Sequence, residues 1–175
     1  MTLDAVGALA GEAASLAWFD AVGAVVGPSE RAAVERYLAG LGLAEHPVVG
    51  VADWSAAARI ASAPDWDRRW WDAEQAQRNV LLDAATARHG RDGVMHALSA
   101  PAHIASDAAH AGAQQRGIDD ALARVAAGAA SQACYLAALA VLADAGAGHA
   151  FAVKFSLFAA GRWPLGVVGG RFHLF

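Results

Sequence analysis

Glu74 is the residue most out of place in this chain. On a wheel advancing about 100° per residue, Trp70, Trp71, Leu81, Leu82, Ala84 and Ala85 fall within roughly 80° of it on both sides, so the carboxylate stands at the centre of an apolar arc. Asp67, Gln77 and Arg78 share that arc, while Asp65, Arg68, Asp72, Gln75, Asn79 and Asp83 occupy the opposite one. A buried carboxylate must be paired, protonated or bound to a metal, because an isolated buried charge costs more than a domain's whole margin of stability. Arg78, one turn later, is the expected partner. Two readings follow: a structural Glu74–Arg78 pair that fixes helix register, or a catalytic pair in which Glu74 moves a proton or ligates a metal.

The histidines are a second anomaly. His89, His96, His103 and His110 recur every seven residues. Within one helical piece, His103, Asp107 and His110 share a face at i, i+4 and i+7, a spacing at which imidazole and carboxylate can reach one transition-metal ion such as iron or zinc. With Glu74 they make a candidate metal set. The pattern is neither HExxH nor the paired Glu-xx-His of di-iron bundles, and the same arc carries Ser99 and Gln114, as a solvated face would. The third anomaly is Gln132, with Val125, Gly128, Leu136 and Leu139 around it and Arg124 and Tyr135 at the edges of its arc. A buried amide needs several partners. It serves either core hydrogen bonding or a pocket in which Trp70, Trp71, Gln132 and Tyr135 receive a small molecule. The chain has no Gly-rich phosphate loop, nucleophile elbow, CxxC or dinucleotide fingerprint.

These residues have to be positioned by helices. From Val125 to Ala143 nothing is charged, and a helix apolar on every face is covered on every face. The stretch 118–143 is therefore expected to be the central helix of an all-α bundle of about five or six helices. Alanine supplies most of it, Gln132 would sit near mid-bilayer, and basic flanks and an aromatic belt are missing, so no membrane span is expected. The N-terminus has no basic region and carries Asp4 and Glu12, which argues against a signal peptide and for the cytoplasm. The lone Cys134, inside the central helix, fits a reducing compartment and a small buried hydrophobe.

Taken in order, Leu3 to Phe19 keep helical spacing up to Gly27-Pro28. Ser29 is placed to cap a second helix, and residues 45–50 read as an extended connector. Asp53 or Ser55 caps a short helix closed by Pro64, and Asp65 a long one ending at His89-Gly90. Residues 92–98 and 100–115 form two pieces or one kinked helix, with Ser99 as cap and Pro101 in the first turn. FAVKFSLFAAG is a short helix. WPLGVVGGRFHLF is a β-hairpin about Gly169-Gly170, pairing Val167 with Phe172 and Leu165 with Leu174. The tail, from Trp163, must pack on the bundle, since a two-stranded ribbon is marginal alone.

The 175 residues suit a single soluble domain, and no repeat or composition break marks a second one. A net charge of -4 with interspersed signs offers no basic stripe, which speaks against nucleic acid and anionic lipid as partners. Self-association is left open. Alanine and arginine are over-represented, as in close-packed helices and in GC-rich genomes. The sequence does not itself state an activity: it supports either a small bundle enzyme or binding protein built around Glu74, or a non-catalytic helical interaction protein.

Overall fold

The computed structural model describes residues 2–175, with side chains from Leu3 onward. Seven helices and three strands follow one another: α1 (Thr2–Ser15), α2 (Pro28–Gly40), β1 (Val48–Gly50), α3 (Trp54–Ala61), α4 (Arg68–His89), α5 (Arg91–Gln115), α6 (Asp120–Leu142), α7 (Ala150–Ala159), β2 (Pro164–Val168) and β3 (Arg171–Leu174). The protein is mainly α, built round the long buried α6. That helix is apolar and long enough to cross a membrane by composition, yet most of its apolar stretch is buried by the rest of the chain. Alanine explains how. Ala105, Ala109 and Ala113 of α5 and Ala123, Ala126, Ala130 and Ala133 of α6 are all fully buried in one cluster, so two backbones approach with little between them.

Continuous packing along this seam carries α5 straight through Pro101. Of the two alternatives the single helix holds, running from Arg91 to Gln115 with Pro101 buried inside it, so Ser99 is not a cap. Tertiary packing outweighs the proline's lost hydrogen bond here. The first helix is shorter than its apolar spacing suggests. It stops at Ser15, and Phe19 adopts a left-handed conformation with φ 63°. Trp18 donates its indole N–H to the carbonyl of Ala13 at 2.9 Å. Both aromatics thereby turn inward onto Trp54, Phe158 and Trp163, a larger burial than another turn of helix would give.

Caps fall close to their expected places, with two corrections. Asp67, not Asp65, caps α4, accepting from Arg69 N–H at 2.9 Å. The preceding residue is already committed to the sheet, because Trp66 bridges Val168 and Asp67 N–H donates to Val167 O at 2.8 Å. Ser29 does not cap α2, because Pro28 already begins it; Glu30 reaches back to Gly27 N–H at 2.7 Å. Asp53 and Asp119 cap α3 and α6.

The hairpin turns at Gly169 (φ 57°) and Gly170 (φ 72°), and Val167 faces Phe172. Beyond that the register differs from strict alternation. Pro164 rather than Leu165 faces Leu174, because the ladder is irregular between Pro164 and Gly166. The connector supplies a third strand: β1 pairs parallel with β3, giving the order β1-β3-β2. Trp163, Leu165, Phe172, Leu174 and Phe175 are all buried, as a marginal ribbon requires. Arg162, 2% exposed, locks this layer to the N-terminal half, donating to both carboxylate oxygens of Glu30 at 2.5 and 2.9 Å and to the carbonyls of Ala24 and Val25.

Two outcomes test this architecture. Gly166 has φ 113°, and a β-carbon there would come 2.6 Å from the Trp70 ring. Gly166→Ala should lower stability by about 2 kcal/mol or more in urea unfolding, from backbone strain plus overpacking. The Arg162 guanidinium holds the Glu30 carboxyl below the usual range. A depressed carboxyl contributes stability above its unfolded pKa that is lost as pH falls through the folded one. Glu30→Gln should therefore be less stable than the parent at neutral pH, with the difference shrinking on acidification in melts across pH.

Candidate binding cleft

The pinning of residues 66 and 67 to β2 sets the rotation of α4 and turns Glu74 inward, where it is 0% exposed. Its partner comes from across the bundle. Lys154, the one lysine of the sequence, projects from α7 and donates to Glu74 Oε1 at 2.7 Å and Oε2 at 3.0 Å. Tyr37 of α2 donates its hydroxyl to Glu74 Oε1 at 2.5 Å, and Trp70 donates its indole N–H to the Tyr37 oxygen at 2.6 Å. The Lys154 ammonium lies 4.9 Å from the Trp70 ring centroid and 6.0 Å from that of Tyr37, so aromatic faces complete its surroundings. Burial, then the neighbouring Glu74 charge and its hydrogen bond, push the Tyr37 phenol well above its ordinary pKa and keep it a donor.

Arg78 is therefore not the partner of Glu74, contrary to the i, i+4 expectation. It donates to Gln75 Oε1 at 3.3 Å and lies 5.6 Å over the Tyr135 ring. Of the other polar members of the arc, Asp67 caps the helix and Gln77 donates to the carbonyl of Gly40, while the Gln77 side-chain oxygen is buried without a partner among the described residues. Lys154 and Tyr37 were not identified from the sequence. The signal available was a single charge inside the otherwise apolar helix AFAVKFSLFA, which demands a buried counter-charge.

Beside this network lies a cleft with two chambers that share Trp71 and Gln132. The larger, about 440 Å³, is walled by Arg78, Gln75, Tyr135, Ser131, Ala102, Gly128 and Leu136. The smaller, about 200 Å³, is bounded by Trp66, Trp70, Trp163, Pro164 and Leu165, and it reaches Lys154. The structure thus places Trp71, Gln132, Tyr135 and Arg78 on the larger chamber and Trp70, Trp71 and Gln132 on the smaller, whereas Glu74 lines neither. Gln132 is half-buried at the mouth rather than bonded in the core. Among the described residues its amide and the Tyr135 hydroxyl have no hydrogen-bond partner in the chain. A β-carbon on Gly128 would meet nothing within 4 Å, so that glycine borders open space.

The histidine stripe lies elsewhere. His103 and Asp107 are exposed on α5, and His103 Nδ1 is 2.8 Å from the carbonyl of Ser99. His110 pairs instead with Asp120 at 3.1 Å, a carboxylate that Arg124 and His110 hold below its usual pKa. Among the described residues no group of three or more His, Cys, Asp or Glu side chains is placed to hold a metal ion. Glu74, His103, Asp107 and His110 do not form one coordination sphere, because the carboxylate is closed inside by Tyr37 and Lys154 while the stripe is solvated. Cys134 is fully buried, and burial pushes its thiol up to about 12, so it is no nucleophile.

The pairing has a direct test in unfolding free energies. Lys154→Met leaves the Glu74 charge buried without compensation and should cost about 3–5 kcal/mol. Adding Glu74→Leu should recover most of that loss, whereas Arg78→Gln should change stability by less than about 1 kcal/mol. An equal loss on Arg78→Gln would return Arg78 to the buried network.

Comparison with known protein families, with curated proteins and with solved structures finds no match, so the chemistry of the cleft is read from its own residues.

Proposed function

We propose that the protein binds a small organic molecule in this cleft, with the apolar part of the ligand against the tryptophans and its polar part between Arg78, Gln132 and Tyr135. The observation that carries this reading is the pairing of unpartnered polar groups with aromatic walls: Gln132 and Tyr135 face the opening without a bond in the chain, directly beside Trp71. Small-molecule sites have this composition, a mostly apolar concavity with a few convergent polar groups, and volumes of roughly 300–1,000 Å³. Binding is better supported than acid–base turnover at Glu74, because a molecule in the cleft would meet Arg78 and Lys154 and not the carboxylate. The reading also requires no metal, since the donors the sequence offers for iron or zinc are apart.

Gly128 supplies the test. Gly128→Leu fills the larger chamber with a side chain that meets no neighbour at its β-carbon and improves helix propensity by up to about 1 kcal/mol. The variant should melt no lower than the parent. In a fragment screen read by NMR, hits on the parent should shift the Trp71 indole N–H and be lost on Gly128→Leu. Hits that bind both proteins alike would place the ligand elsewhere.

A further inference from the structure

We infer that the ligand of this cleft is an amphipathic organic carboxylate, its acidic head on Arg78 and its ring or chain among the tryptophans, an inference that rests on the binding reading above. Among the described residues lining the two chambers, the charged side chains are Arg78 and Lys154, and none is acidic. They differ in what remains unmet. Lys154 is satisfied on both oxygens of Glu74, so the chamber it reaches is neutral and aromatic. Arg78 has no carboxylate within 4.0 Å among the described residues and is held only by the Gln75 amide oxygen and the Tyr135 ring. Of the other arginines, Arg68, Arg69, Arg88, Arg116, Arg124 and Arg162 each have an acidic partner, and those without one line neither chamber. One chamber therefore carries an uncompensated positive charge, and the adjoining one carries none.

The donors around Arg78 fit a carboxylate, which only accepts. The guanidinium offers a planar fork whose orientation the Tyr135 ring beneath it restricts, the geometry that suits bidentate carboxylate binding. The Tyr135 O–H and the Gln132 N–H are free to donate to the same head. Ser131 is not, because its hydroxyl already donates to the Ala102 carbonyl at 2.8 Å. A neutral ligand would leave the guanidinium and these donors without an anionic partner. A cationic one would oppose Arg78.

The test uses an isosteric pair, 2-naphthoate and 2-naphthamide, in equilibrium dialysis against the full chain at neutral pH. Naphthoate should bind about tenfold or more tightly than the amide, as charged hydrogen bonds do over neutral ones. Arg78→Gln should erase that preference by weakening the acid and leaving the amide unchanged, while its melting curve overlays the parent's. Gly128→Leu should abolish both. If acid and amide bind the parent equally, or Arg78→Gln keeps the preference, the anion inference is overturned and the cleft remains a binding site. If neither probe binds the parent at millimolar concentration, or both bind Gly128→Leu undiminished, the binding reading falls and the inference with it.

Discussion

The buried pair between Glu74 and Lys154 is the constraint on which the rest of this structure depends. Removing two charges from water costs several kcal/mol per ion, and their attraction offsets this only where geometry is good and the remaining lone pairs are satisfied. Both conditions are met: the ammonium spans both carboxylate oxygens, Tyr37 donates to one of them, and Trp70 donates to the tyrosine. Three helices contribute to a network that tolerates little displacement, so α2, α4 and α7 are fixed relative to one another. A hydrophobic replacement could be as stable. What the polar network adds is a single register for α4, which places Trp70 over the smaller chamber, Trp71 between the two and Arg78, two turns on, over the larger.

The cleft itself follows from a mismatch of side-chain size. Between α5 and α6 alanines meet alanines, and the backbones close up. On the other flank α4 and β2 bring Trp66, Trp70, Trp71 and Trp163 towards the same α6, where Gly128, Ala129 and Gln132 face them. Large rings on one side and small residues on the other do not interdigitate to native density without a complementary shape. The space left is lined by indoles, the amides of Gln75 and Gln132, the Tyr135 phenol, the Ser131 hydroxyl and the Arg78 guanidinium, and it reaches the paired Lys154. Strand β2 runs under the indoles only because Gly166 has no side chain to collide with them.

Much of this was legible in the sequence wherever one local rule decided the outcome. The uncharged run to Ala143 revealed the central helix, because only a covered helix can be apolar all round. Gly169-Gly170 revealed the hairpin, and Glu74 stood out as a buried carboxylate because its wheel neighbours are tryptophan, leucine and alanine. The failures share a cause, which is that long-range partners leave no periodic trace. Arg78 was the natural partner for Glu74 at one turn's distance, yet the counter-charge arrives from Lys154, 80 residues away. The His103–Asp107–His110 face kept helical spacing but turned to solvent, since spacing along one helix says which residues share a face and not which way it points. The connector became a strand because β3 offered it an edge, and α5 ignored Pro101 because α6 packed it along its length. Of the two uses open to Gln132, core hydrogen bonding is the one the structure does not make, since the half-buried amide lines the cleft.

That Glu74 is held by Lys154 across the bundle can be read most directly from the lysine itself, since the sequence contains one. With selectively labelled lysine, NMR of the side-chain ammonium gives one signal to interpret. The account predicts ammonium protons protected from solvent exchange, with cross-peaks to the Trp70 and Tyr37 rings and loss of that protection on Glu74→Gln. A Lys154 ammonium that exchanges as fast as an exposed lysine, without contacts to either ring, would contradict the account.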